Sequence, residues 1–79
     1  MKNKVTNNER VRVDEEIRKW IFDNTRKITM RDIKDRVFDE TMHSDYYWPV
    51  SDWRIAESNA LSAYLISCEM ECIVPRSGC

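Results

Sequence analysis

The chain has seventy-nine residues, thirteen Lys/Arg against fourteen Asp/Glu, and a formal net charge of −1. It is bounded to one small domain with a limited core, too small for a deep-clefted enzyme. Without a basic surplus it lacks the usual source of strong non-specific affinity for nucleic acid, which comes largely from phosphate neutralisation. The charge is uneven: residues 1–27 carry eight Lys/Arg against five Asp/Glu, and residues 28–79 carry five against nine.

Residues 1–10, MKNKVTNNER, read as a flexible polar tail ahead of a single domain over 11–79. Val13, Ile17, Trp20 and Ile21 then recur at helical spacing, with Asp14, Glu15 and Glu16 in a first turn where the dipole favours acids. A first helix is expected over 13–24, and Thr6-x-x-Glu9 offers capping-box spacing for an earlier start. Ile28 stands alone in a link that suits a very short strand. Thr29 caps a second helix over 30–40, with Asp32 in the capping-box position and Met30, Ile33, Val37 and Phe38 as its buried stripe. Its outward face alternates in sign, as a solvated face does.

Residues 41–50, TMHSDYYWPV, form the longest linker, and its Tyr46, Tyr47 and Trp48 either fold back onto the helices or stay exposed for a partner. The least charged stretch follows, residues 51–68, and reads as the central helix. Ser51 is its expected N-cap, and Trp53, Ala56, Ala60, Ala63 and Tyr64 form its inner face. Arg54, Ser58, Asn59 and Ser62 occupy the remaining arc. Ile55, Leu65 and Ile66 flank that arc and exceed what one small core can take. Residues 69–75, EMECIVP, alternate at period two and are expected to form one strand, paired with Ile28.

The order helix, short strand, Thr-capped helix, helix, strand is similar to a winged helix-turn-helix domain. The likeness is carried by Ile28-Thr29-Met30-Arg31-Asp32-Ile33, and by Leu61, Leu65, Cys68-Glu69-Met70 and Cys72-Ile73-Val74-Pro75-Arg76. It resembles most the small C-terminal winged-helix segments of phage and plasmid primase-helicases of the virulence-associated E type. The fold class expected is therefore mainly α: a three-helix winged helix-turn-helix-like domain with a short two-stranded sheet. The wing is expected to be truncated, because Cys68-Glu69 stands where many such domains carry Gly and little chain follows. The resemblance implies contact with double-stranded DNA through Arg54, Ser58, Asn59 and Ser62 on the third helix, with Arg76 and Ser77 from the wing. Arg26, Lys27 and Arg31 would supply phosphate contacts near the start of the second helix.

Other chemistry is sparse. One His, one Gly and no phosphate-cradle or zinc-protease pattern leave no nucleophile–base pair, so neither an enzyme nor a cofactor is expected. Cys68, Cys72, Cys79 and His43 do not have the spacing of a zinc knuckle, so no metal is expected either, and an odd cysteine count suits reduced thiols in a host cytoplasm. Asp39, Glu40, His43 and Asp45 read as a solvated helix end. No run approaches the ~18 apolar residues of a membrane span, and the polar start is unlike a signal peptide. Two functions remain open. One is a phage or mobile-element DNA-binding protein acting in regulation or replication. The other is an adaptor or inhibitor, similar in kind to anti-CRISPR proteins, that contacts a host protein complex through Tyr46, Tyr47, Trp48, Ile55 and Ile66. A second copy of the chain is a further candidate to cover that apolar surface.

Overall fold

The computed structural model describes residues 2–78, in which three helices follow one another: α1 (Asn7–Asn24), α2 (Met30–Met42) and α3 (Val50–Met70). α1 takes the earlier of its two starts, because the Thr6 side chain accepts a hydrogen bond from the Glu9 amide at 3.2 Å. It buries Val13, Ile17 and Ile21. At its end Asn24 and Thr25 turn their side chains back onto the carbonyls of Trp20 and Ile21, competing with further helix. The described part of the expected tail joins the fold: Val5 is buried, and its amide and that of Tyr47 bond to Tyr47 and Asn3 in an isolated parallel bridge.

α2 opens on the expected capping box, with Thr29 and Asp32 each accepting from the other's backbone amide. Ile33, Val37 and Thr41 face inward. Phe38, expected in that stripe, is 58% exposed. α3 is longer than expected at both ends. Pro49, not Ser51, stands at its N-cap without a side-chain bond, and Ser51 falls within the first turn. Ala60, Ala63, Tyr64, Ser67 and Cys68 are its buried residues, with Trp53, Ala56 and Leu61 packed beside them.

The helices run up, down and up. Arg10 meets Asp52 at 3.0 Å near the starts of α1 and α3, while Thr25 bonds Ser67 and Arg26 meets Glu71 at 3.1 Å near their ends. α1 and α3 therefore lie parallel, with α2 returning between their ends, and the bundle measures 44 × 24 × 17 Å. One core joins Val13, Ile17, Ile21, Ile28, Ile33, Val37, Ala60, Ala63, Tyr64 and Cys68.

The expected two-stranded sheet and its wing are not formed among the described residues. Glu69 and Met70 continue α3, and Cys72, at φ 56°, ends it. The Cys72 amide bonds to the Glu69 carbonyl and the Ile73 amide to the Cys68 carbonyl, a complete Schellman ending with cysteine where glycine is usual. Nor can Ile28 serve as a strand partner. Its amide bonds to Asn24, and its carbonyl accepts from Tyr64 and Arg76.

The last residues instead lie across the start of α2. The Arg76 and Ser77 carbonyls accept the amides of Met30 and Arg31 at 2.8 and 3.1 Å. With the capping box, all four amides that a helix N-terminus leaves unpaired are satisfied. Gly78 completes the approach at φ 90°. A Cβ there would lie 2.8 Å from that of Arg31 and 2.9 Å from that of Thr29, so no other residue fits without displacement.

Candidate functional site

The residues expected to touch DNA fall into two groups at opposite ends of the bundle. Arg26, Lys27, Arg31 and Arg76 lie where α1 ends and α2 begins. Arg54 lies on the second turn of α3, about 25 Å away along that helix. Within the first group, Arg76 is committed to the fold. Its guanidinium donates to the carbonyls of Arg26 and Ile28, the latter at 3.0 Å, and its amide donates to the Tyr64 hydroxyl at 3.1 Å. Arg26 pairs with Glu71. The Arg31 amide, which a phosphate at this helix terminus would need, is occupied by Ser77. Lys27 and the Arg31 side chain remain without ion-pair partners among the described residues. Arg54 extends over the Trp53 ring at 6.0 Å, and Ser58, Asn59 and Ser62 are exposed beside it.

The residues expected to touch a protein also divide. Trp48 is buried at 7% exposure and Tyr46 is half-buried, so the linker does fold back, but Tyr47 remains 57% exposed. These three line a cleft of about 260 Å³ whose other walls come from Lys2, Phe38, Thr41, Met42 and Trp53. Phe38 and Met42 are each 58% exposed at its mouth. Neither was expected there: Phe38 stands 100° from Val37 on the helical wheel, at the edge of the apolar stripe, and the core takes Val37 and leaves Phe38 outside. Ile55 and Ile66 lie elsewhere, on the outer face of α3, at 60% and 54% exposure.

A polar network holds the linker in place. Arg12 forks onto both carboxylate oxygens of Glu9 at 2.8 Å, and this hydrogen bonding and charge hold the Glu9 carboxyl below its ordinary pKa. Glu9 in turn accepts from the buried Ser44 hydroxyl at 3.2 Å. Ser44 accepts the Tyr46 amide at 3.1 Å and, through its carbonyl, the Lys2 ammonium at 2.8 Å. Among the described residues, Trp48 Nε1 and Asp52 Oδ2 are buried without a partner. Both side chains line a cavity of about 50 Å³ between α1 and α3, which has room for one water that would accept from the indole and donate to the carboxylate.

Among the described residues, no three His, Cys, Asp or Glu side chains come together as a metal site; Cys79 lies outside those residues. His43 pairs with Asp39 at 3.2 Å on an exposed turn, and Glu40 is held by Arg36. No described helix is long and apolar enough to cross a membrane. No protein-family model, curated protein or solved structure gives a significant match to this chain.

Proposed function

We propose that this chain is a protein-binding adaptor or inhibitor that takes an apolar anchor side chain of a partner protein into the aromatic cleft between α2 and the linker. The observation that carries this reading is the set of three large apolar side chains, Phe38, Met42 and Tyr47, each more than half exposed around one depression walled by Trp48 and Trp53. Scattered exposed hydrophobics are ordinary, but a clustered rim around a cleft marks a contact surface. At about 260 Å³ the cleft falls below the ~300–1,000 Å³ of small-molecule sites, which suits one anchoring side chain better than a cofactor. A capping network that reaches from α1 through Glu9 and Ser44 fixes the linker before any partner arrives, and this lowers the ordering cost of binding.

The double-stranded DNA reading keeps fewer supports. It rests on Lys27, Arg31 and a distant Arg54, with Arg76 and the start of α2 already engaged.

Selection from a displayed library of short peptides tests the two readings together with a titration of labelled duplex DNA. The adaptor reading expects peptides carrying a large apolar anchor, bound at least ~10-fold more weakly by Phe38→Glu and Met42→Glu. Both positions are exposed, so far-UV circular dichroism should be unchanged. Duplex binding that weakens steeply between about 50 and 200 mM salt, with no peptide enriched, would overturn it in favour of DNA. Trp48 is unsuitable as a probe of contact, since its burial makes any substitution a test of folding.

A further inference from the structure

We infer that the outer face of α3 is a self-association surface on which a second copy of the chain packs antiparallel about a two-fold axis near Leu61. The cleft plays no part in this inference. The exposed arc of α3 carries Arg54, Ile55, Ser58, Asn59, Ser62, Leu65, Ile66 and Glu69, and its order is self-complementary. In a two-fold contact residue i meets residue j while j meets i. An antiparallel pairing centred at 60–62 sets Ile55 against Ile66 of the second copy, Asn59 against Ser62, Ser58 against Leu65, and Arg54 against Glu69, each contact occurring twice. Along the exposed arc this register brings the isoleucines and the charges together to within about one residue of exact opposition.

Two independent features favour this occupant. The first is charge. Arg54 and Glu69 have no ion-pair partner among the described residues, and neither do Lys27 and Arg31, but Arg54 and Glu69 are the two charged side chains on this exposed arc. They stand about 22 Å apart along α3, too far to meet within one chain and correctly placed to meet across an antiparallel pair. The second is area and shape. Ile55, Leu65 and Ile66 are 45–60% exposed, and with the polar residues between them they present on the order of 500–600 Å² per copy. A pair would bury about 1,000–1,200 Å², the lower edge of specific interfaces. Ser58 and Ser62 at the centre let the two helices approach to the ~8–10 Å of ordinary helix packing, and the polar Asn59 fixes register as a buried Asn does in coiled coils. The small area sets the strength, giving a dimer in the micromolar range.

Sedimentation velocity in reducing buffer, from about 1 to 300 µM, reads this directly. The wild-type chain is expected to move from 9.5 kDa towards twice that mass as concentration rises. Arg54→Glu and Glu69→Arg each place two like-charge contacts in the homodimer and should weaken it at least ~10-fold. Mixed in equal amounts, the two variants should dimerise as well as wild type, because the heterodimer then matches both pairs. Both sites are exposed, so unchanged circular dichroism separates a lost contact from a lost fold. A wild-type chain that stays monomeric throughout would overturn the inference. So would a dimer indifferent to both variants, or one whose variants fail to complement on mixing.

Discussion

Replacing Arg76 with Ala separates a structural role from a DNA-contacting one. The Arg76 guanidinium donates to the carbonyls of Arg26 and Ile28, just past the end of α1, where the helix dipole favours a cation. A hydrogen bond from a charged donor contributes roughly 1.5–3 kcal/mol in a protected setting. Here the side chain is exposed, and the Arg76 backbone keeps its bonds to Tyr64 and Met30 after truncation. The expected loss is therefore about 1–2 kcal/mol, which for a domain of this size lowers Tm by roughly 5–12 °C. Arg76→Lys should restore much of it, because a single guanidinium nitrogen, Nη2, makes the bonds to both carbonyls, and an ammonium carries three donors on one nitrogen. Urea titration followed by circular dichroism would measure both, with an unchanged m-value as the control for two-state unfolding. A loss below about 0.3 kcal/mol in Arg76→Ala would refute the structural assignment. The DNA reading expects the reverse pattern, with stability intact and duplex affinity reduced.

Cys72 occupies the left-handed position that ends α3, so Cys72→Gly should stabilise the fold by about 0.5–1 kcal/mol while Cys72→Ala gives no gain; equal midpoints for all three chains in urea would count against it. Tyr64→Phe removes the acceptor of the Arg76 amide and one donor to Ile28 from a fully buried site. It should cost about 1–2 kcal/mol and speed hydrogen exchange at Met30 and Arg31, whose acceptors lie in the released segment; unchanged exchange at those two amides would sink the coupling. The pKa of Glu9 is depressed in the fold, so its stabilising contribution is complete above the unfolded value near 4.5 and is lost as pH falls through the folded one. Stability of the wild type should thus decline more steeply below about pH 4.5 than that of Glu9→Gln, and coincident pH profiles would show the Arg12–Glu9–Ser44 network to be inert.

The parts of this fold readable from the chain are those decided within one or two turns. Thr29 and Asp32 carry their capping box in the sequence, and Thr6 carries the N-cap of α1, although Glu9 turns its carboxylate to Arg12 and Ser44 instead of closing a box. The stripes Val13–Ile17–Ile21 and Ala60–Ala63–Tyr64 need only the helical period. The C-terminal segment departs from its expected strand for a different reason. Glu-Met-Glu-Cys-Ile-Val alternates like a strand, yet a strand needs a partner with free amides, and Asn24 and Asp32 had already taken those of Ile28 and Thr29. A cysteine in place of the usual glycine also hid the stop of α3. Phe38 and Arg76 depart from expectation because their environments are set outside their own turns: the linker carrying Trp48 folds beside Phe38 and leaves it at the mouth of the cleft, and the carbonyls of Arg26 and Ile28, 50 and 48 residues away, claim Arg76.

The two surfaces left open by this packing sit on roughly opposite sides of α3, since Trp53 faces the cleft and Ile55, Asn59, Ser62 and Ile66 are turned some 120–180° from it. A dimer formed through the outer face would therefore leave both clefts accessible and present them as a related pair. A partner with two anchors would then bind with an effective concentration set by the spacing of the clefts, without any added contact at either. This separates the roles experimentally. Ser62→Arg inserts a charge at the centre of the two-fold contact while touching no residue of the cleft, so it should abolish self-association and leave the affinity for a single-anchor peptide unchanged within about twofold. Isothermal titration of that variant, read beside its sedimentation profile, decides the matter: a parallel loss of peptide binding would mean that cleft and dimer face are one site and that the division drawn along α3 is wrong.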